Sequence, residues 1–218
     1  MPPIVCIVGA SNSGKTTFLE KLIPELNRRG YRIGTIKHDA HGFEMDREGK
    51  DTWKHRKAGA HTVAISSPSQ VATIRQTGGE LELDELVGRY FWDEDLVLTE
   101  GYKRSHRPKI EVFRTEIEAQ PICGPEDNLI ALVTDDLSAA QVPVFRFDEV
   151  GRVADLIETR FLKERRKPDI LLRTDGRKLP VNEFVGEFVV GTIRGMLSTL
   201  RGWKEPQTID IHIQLKEK

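Results

Sequence analysis

The chain has 218 residues, 38% of them apolar and 31% charged, with a formal net charge of -1. That balance describes a soluble globular protein of one or two domains with enough apolar material for a core, and it gives no footing for a nucleic-acid partner. No apolar run approaches the ~18 residues that a membrane-crossing helix needs, so no membrane partner is expected.

The first element is the apolar run Ile4-Val5-Cys6-Ile7-Val8, which reads as a buried strand. No basic segment followed by a long apolar stretch precedes it, so a secretory signal is not expected. Gly9-Ala10-Ser11-Asn12-Ser13-Gly14-Lys15-Thr16 comes next and matches the phosphate-loop pattern G-x-x-x-x-G-K-[ST] in full. Thr17 to Ile23 continues with helical spacing and the helix stops at Gly30. Strand, glycine loop and helix in this order put backbone N–H groups and a positive helix terminus around a phosphate. Gly9 and Gly14 let the backbone wrap the phosphate, and Ser13, between them, is counted with the expected contacts. Lys15 is expected to reach the β- and γ-phosphates, and the Thr16 hydroxyl to sit on Mg²⁺.

Alternating elements follow. Arg32 to Lys37 reads as a strand, the polar His-rich stretch 38–49 as a loop, and Asp51 to Ala60 as a short basic helix. His61–Ile65 and Val71–Ile74 are short strands split by Ser67-Pro68-Ser69, and Leu81–Phe91 is a helix. Leu96–Thr99, Ile110–Phe113 and Leu129–Val133 are buried strands, and Asp148–Lys163 is a helix. Strands alternating with helices argue for an α/β fold, a doubly wound and mostly parallel sheet. The basic run Lys163-Glu164-Arg165-Arg166-Lys167 reads as a solvated helix end or linker.

The stretch 164–169 marks an expected boundary, giving a nucleotide-binding domain over 1–165 and a small α+β (ββαβ) unit over 168–218. In that unit Ile170–Arg173 and Lys178–Val181 flank Thr174-Asp175-Gly176-Arg177, a hairpin signal. Asn182 is placed to cap a helix whose apolar stripe includes Phe184, Val185, Phe188, Val189, Ile193, Met196, Leu197 and Leu200. Gly202 ends it, and Thr208–Leu215 alternates as a strand. The stripe needs a cover: its own sheet, the first domain or a second copy.

Strand Leu96–Thr99 runs into Glu100-Gly101, an acid at the carboxyl edge of the sheet where ligands bind in open α/β folds. Glu100 is the candidate partner of Thr16 for Mg²⁺ and, with Lys15, the candidate catalytic residue. The guanine-reading tetrapeptide Asn-Lys-x-Asp is absent; Asp135 or Asp136, after Leu129–Val133, stands at the equivalent place. His38 and His41 form an H-x-x-H near Asp39, Asp46, His55 and His61, a weak metal pattern. Lys50, Lys54, Arg56 and Lys57 form a basic cluster suited either to an anion or to solvent. Cys6 and Cys123 include no C-x-x-C and fit a reducing compartment, so a cytoplasmic protein is expected.

Three segments together carry a family resemblance: GASNSGKTT, IKHDAHGFEMDREGKDTWKHRKAGA and LVLTEGYKRSHRPKIEVFR. Over residues 3–162 the chain resembles the MobB-type molybdopterin-guanine dinucleotide biosynthesis proteins, and the middle segment is the specific part. The resemblance implies a phosphate-loop protein that binds GTP with Mg²⁺, hydrolyses it weakly at most, and assists a MobA-type guanylyltransferase acting on a molybdopterin-type cofactor. It also implies a homodimer. It places Gly9, Asn12, Gly14, Lys15, Thr16 and Thr17 on phosphates and Mg²⁺, and Glu100 and Gly101 near the γ-phosphate. Lys37, His38, Asp51, His55, Arg56 and Lys57 would face the cofactor, the phosphates or the partner. Two other readings stay open on the residues alone. One is a small-molecule kinase with Arg104, Arg107 and Lys109 as a closing lid; the other is a metallochaperone GTPase using the histidines.

Overall fold

The computed structural model describes residues 1–39, 42–135, 141–163, 170, 172–174, 177–179, 181–206, 208–211 and 213. His41, Asp136, the boundary stretch 164–169 and the turn residues Asp175 and Gly176 lie outside them. The chain divides into two compact units, Met1–Glu164 and Arg165–Lys218.

The first unit is built on a six-stranded sheet. Its strands are β1 (Ile4–Val8), β2 (Ile33–Lys37), β5 (Leu96–Glu100), β6 (Lys109–Val112), β7 (Leu129–Val133) and β8 (Val144–Phe145), in the order β2-β5-β1-β6-β7-β8. Every pairing in this sheet is parallel. The expected doubly wound α/β fold is present, and β1 explains why. All five of its residues are buried, as a strand covered on both faces requires. Alternation then sorts them. Val5 and Ile7 join Phe18, Leu22 and Leu26 of helix α1 (Lys15–Arg28) and Val153 and Ile157 of α4 (Val150–Ile157) on one face. Ile4, Cys6 and Val8 join Leu83 and Val87 of α3 (Leu83–Tyr90) on the other. The free thiol of Cys6 is fully buried, and burial pushes its pKa up.

The chain leaves β1 towards β2 and β5, and leaves β6 in the opposite direction, towards β7. The order therefore reverses between β1 and β6, and a crevice opens at the carboxyl ends of those two strands. The strand pair β3 (Thr62–Ser66) and β4 (Val71–Arg75) stands apart as an antiparallel hairpin, with helix α2 (Asp51–Lys57) preceding it. Its turn is closed by Ser67 N–H donating to the Gln70 carbonyl at 2.8 Å. The α4 helix is shorter than the expected 148–163 span and runs on as a π turn, Glu158–Leu162.

One ionic cluster joins α1 to α4. Arg29 donates to Glu25 at 2.8 Å, Asp155 at 2.7 Å, Glu158 at 2.9 Å and the Gly151 carbonyl at 2.9 Å, while the Tyr31 hydroxyl donates to Glu158 at 2.8 Å. Hydrogen bonds from Arg28 and Arg29 hold the Glu25 carboxyl at about 2, against an ordinary 4.5. The Tyr31 hydroxyl and Arg29 hold Glu158 below its ordinary value as well. A carboxylate depressed in the fold stabilises it above its unfolded pKa and ceases to as the pH falls through the folded one. The thermal midpoint is therefore expected to be flat above about pH 5 and to fall between 4.5 and about 2. Scanning calorimetry of the Glu25→Gln/Glu158→Gln double variant should show a shallower fall; an identical pH profile would count against the cluster.

In the second unit β9 (Arg173–Thr174) pairs antiparallel with β10 (Arg177–Lys178), and α5 (Glu183–Ser198) follows. The Asn182 side chain caps α5 as expected, its Oδ1 accepting from Val185 N–H at 2.9 Å. Gly186 of α5 lies against Ile170, where an added Cβ would stand 3.2 Å from Cγ2. Phe184, Phe188, Met196 and Leu200 are exposed. The expected strand over 208–215 does not form where it is described: 208–211 and 213 belong to no strand, and the rest lie outside the described residues. Alternation selects a face but supplies no hydrogen-bonding neighbour, and a strand needs both.

Candidate functional site

The phosphate loop sits between Val8 of β1 and Lys15 of α1, at the β1/β6 reversal. Its turn depends on left-handed backbone at Gly9 (φ 140), Asn12 (φ 64) and Gly14 (φ 99). Asn tolerates that region better than most side chains, which suits position 12. Alternating hands of backbone turn successive N–H groups into one concavity, which suits an anion. At Gly9 a Cβ would fall 2.2 Å from the Val112 carbonyl oxygen of β6, so only glycine lets the loop lie this close to the strand. Ser13 is buried, and its hydroxyl has no hydrogen-bond partner among the described residues.

Lys15 folds back over the loop. Its ammonium donates to the Gly9 carbonyl at 3.1 Å and the Ala10 carbonyl at 2.7 Å. Burial pulls its pKa below the usual lysine value, Glu100 opposes that pull and Lys37 adds to it. A partly desolvated cation bound only to neutral carbonyls gains more from an arriving anion than a hydrated one does.

Glu100 reaches the loop from the end of β5. The Thr16 hydroxyl donates to its Oε2 at 3.0 Å, and the Lys37 ammonium lies 3.9 Å from its Oε1. These contacts follow from register: β2 and β5 pair Lys37 with Glu100, and β5 and β1 pair Glu100 with Ile7. Two adjoining oxygens, a hydroxyl and a carboxylate, suit Mg²⁺, which takes few protein ligands and completes its shell from phosphates and water. Among the described residues no three His, Cys, Asp or Glu side chains gather to hold a metal by themselves. His38 instead bonds Glu80 at 2.7 Å and lies against Tyr102, ring centroids 4.7 Å apart; its N–H donates to the Glu100 carbonyl at 3.0 Å.

The structure thus brings Gly9, Asn12, Ser13, Gly14, Lys15, Thr16, Lys37, His38 and Glu100 to one sheet edge. Thr17 lies in the first turn of α1 and is exposed. Asp135 follows β7 and stands 3.8 Å from Arg114. The basic cluster is largely engaged internally. Arg56 faces the buried Asp46 carboxylate at 3.9 Å, Lys54 pairs with Asp51 at 3.5 Å, and Lys57 lies over Trp53.

Two of the three residues of the expected kinase lid are engaged elsewhere. Arg107 is taken by Asp84, and Lys109 is buried, donating to the Ser105, Arg107 and Asp127 carbonyls. A buried side chain committed to three carbonyls cannot close over a substrate. Its neighbour Glu111 is likewise structural: its carboxylate accepts from Ile122 and Cys123 N–H at 2.7 and 3.0 Å. Burial, with Glu111 beside it, pushes the Cys123 thiol up to about 12. Arg114, Phe147, Glu80 and Tyr102 are site neighbours that the sequence reading did not single out. Arg114 and Phe147 follow β6 and β8 at the same carboxyl edge as Glu100; that rule marks the neighbourhood, but the contact with Ser13 follows only from the strand order.

Comparison with known proteins agrees with this geometry. The family model described as molybdopterin guanine dinucleotide synthesis protein B, MobB, matches residues 4–135. A Haemophilus influenzae protein named molybdopterin-guanine dinucleotide biosynthesis adapter protein is 36% identical over 72% of this chain and 88% of its own length. The crystal structure of Bacillus subtilis MobB superposes with a TM-score of 0.61 at 30% identity, covering 74% of this chain and 99% of that one. A relative from Methanocaldococcus jannaschii, 25% identical, spans 98% of both chains, so the C-terminal unit has a counterpart there. Phosphate loop, acidic strand end, parallel sheet and sequence identity converge: this chain belongs to the MobB family of molybdopterin guanine dinucleotide synthesis proteins.

Proposed function

We propose that the protein is a GTP-binding adapter of molybdenum-cofactor maturation. It would assist a MobA-type guanylyltransferase as GMP is joined to a molybdopterin-type cofactor. The observation that carries the reading is the loop itself: Lys15 is bridged to the Gly9 and Ala10 carbonyls beside the Thr16–Glu100 pair. The adapter name of the relatives supports the pathway.

In this reading the N–H groups of residues 9–17 wrap the phosphates, Lys15 neutralises the β/γ bridge, and Thr16 and Glu100 hold Mg²⁺. Mg²⁺ supplies charge neutralisation on the phosphates. Lys37 and His38, which contact Glu100, would serve the γ-phosphate, and Asp135, which follows β7, would serve the base. A carboxylate such as Asp135 accepts from the N1 and N2 groups of guanine. The protein works in the cytoplasm as a homodimer.

Two measurements test this. Calorimetry should give Mg²⁺-dependent GTP binding that Glu100→Gln weakens about tenfold, since one charged ligand to the metal is lost. A pull-down of the guanylyltransferase should be strengthened by GTP. GTP binding that ignores both Mg²⁺ and Glu100→Gln would remove the metal assignment; failure to retain the guanylyltransferase in either state would remove the adapter role.

A further inference from the structure

Arg114 follows β6 and meets the phosphate loop at a single peptide. Its Nε donates to the Ser13 carbonyl at 3.2 Å. Its guanidinium lies over the Phe147 ring, Cζ 4.1 Å from the centroid, and its Nη1 is 3.8 Å from Asp135. Phe147 follows β8 and Asp135 follows β7, so three strand ends meet around the Arg114 guanidinium, and two of them, through Arg114 and Phe147, reach the Ser13–Gly14 peptide. The same groups lie in contact range of Gly14: an added Cβ would stand 3.4 Å from Phe147 and 3.8 Å from Arg114 Nε.

That peptide is planar and trans, so its C=O and N–H point in opposite directions. A donor fixed on the Ser13 carbonyl therefore also fixes the direction of the Gly14 N–H. Without it the peptide can flip, because Gly14 at φ 99 has no Cβ to oppose rotation. A flipped peptide would present a carbonyl oxygen to the phosphate in place of a donor, exchanging attraction for repulsion. The stack on Phe147 holds the guanidinium plane, and the planar fork of arginine suits that double role as lysine does not. The exposed Asp135 adds little energy to the pair.

We infer that Arg114 is a positioning residue for the nucleotide: clamped on Phe147, it locks the Ser13–Gly14 peptide so that the Gly14 N–H is directed to the phosphate side of the loop. The inference rests on the nucleotide-binding reading of this site. It differs from a base-reading role because it acts on phosphate, whatever base is attached.

The test is calorimetric titration of the full chain with GTP and with inorganic tripolyphosphate, both with Mg²⁺, alongside melting temperatures. Arg114→Ala and Arg114→Lys should each weaken both ligands about tenfold or more, with Asp135→Asn weakening tripolyphosphate less than threefold. If Arg114→Lys binds as the wild type does, only positive charge matters and the inference falls. If Arg114→Ala weakens GTP but not tripolyphosphate, the residue serves the base and the inference falls. Should Arg114→Ala fail to fold, Phe147→Leu, which keeps the arginine and removes its stacking surface, is expected to cost about threefold for both ligands; unchanged tripolyphosphate affinity there also overturns it. Wild-type protein that binds neither ligand refutes the nucleotide site itself, whereas wild-type binding unaffected by Arg114→Ala refutes only the role of Arg114.

Discussion

Replacing Lys15 with alanine is expected to lower GTP affinity by about 100-fold or more, because a charge-assisted contact to the phosphates worth about 3 kcal/mol disappears. The loss should exceed that of an exposed lysine, since the Lys15 ammonium is already partly desolvated and turned onto the Gly9 and Ala10 carbonyls. The fold should survive. Those two carbonyls lie on the half-buried rim of the loop and can take water when the ammonium leaves, at a cost of about 1 kcal/mol. Calorimetry and thermal melting on the same sample separate the two effects. GTP affinity within threefold of the wild type would sink the assignment of this loop to phosphate.

Gly9→Ala is expected to do the reverse and damage the fold as well as the site. A Cβ at residue 9 would overlap the Val112 carbonyl oxygen at 2.2 Å and crowd the Ser13 hydroxyl at 2.8 Å, with φ at 140. Neither neighbour is the free end of a flexible chain. Val112 belongs to β6, which pairs with β1 through Cys6–Lys109, Ile7–Ile110 and Val8–Glu111. Either the loop lifts off the strand or the β1–β6 pairing shifts, at an expected cost of about 3 kcal/mol. For a domain of this size that corresponds to a melting point lower by about 6–12 °C. A melting point unchanged within about 2 °C would mean that the loop relaxes freely, and that its close approach to β6 is incidental.

The contrast between these variants shows which features were legible in the sequence. Lys15, Thr16 and the glycines were legible because phosphate binding uses neighbours in sequence: one turn, one helix start, one spacing. Glu100 was legible because a four-residue strand signal, Leu96–Thr99, ending in an acid carries its own direction. The Asn182 cap was legible for the same local reason. Arg114 was not, because nothing around residue 114 refers to residue 13; the contact exists only because β6 was laid beside β1. Lys109 shows the opposite failure. Its charge and its place near Glu100 suggested a lid, but strand pairing buries it against the Ser105, Arg107 and Asp127 carbonyls. The two-residue strand β8 was missed since so short a segment has no period to detect. The alternation over 208–215 misled, because period 2 reports a face and not a partner.

By itself, then, the sequence determined the class of fold, the phosphate loop, the acid that faces it and the family. The loop and the acid are each encoded in residues within about ten positions of one another, the fold class in the alternation of elements along the chain, and the family in three motif segments. The tertiary structure alone decided the strand order β2-β5-β1-β6-β7-β8, the separation of the β3–β4 hairpin from that sheet, and the meeting of Arg114 with Phe147, Asp135 and the Ser13 carbonyl of the loop. The reason is physical. Which strand lies beside which is settled by how two apolar faces are covered at once, a condition on the whole sheet that no short segment contains.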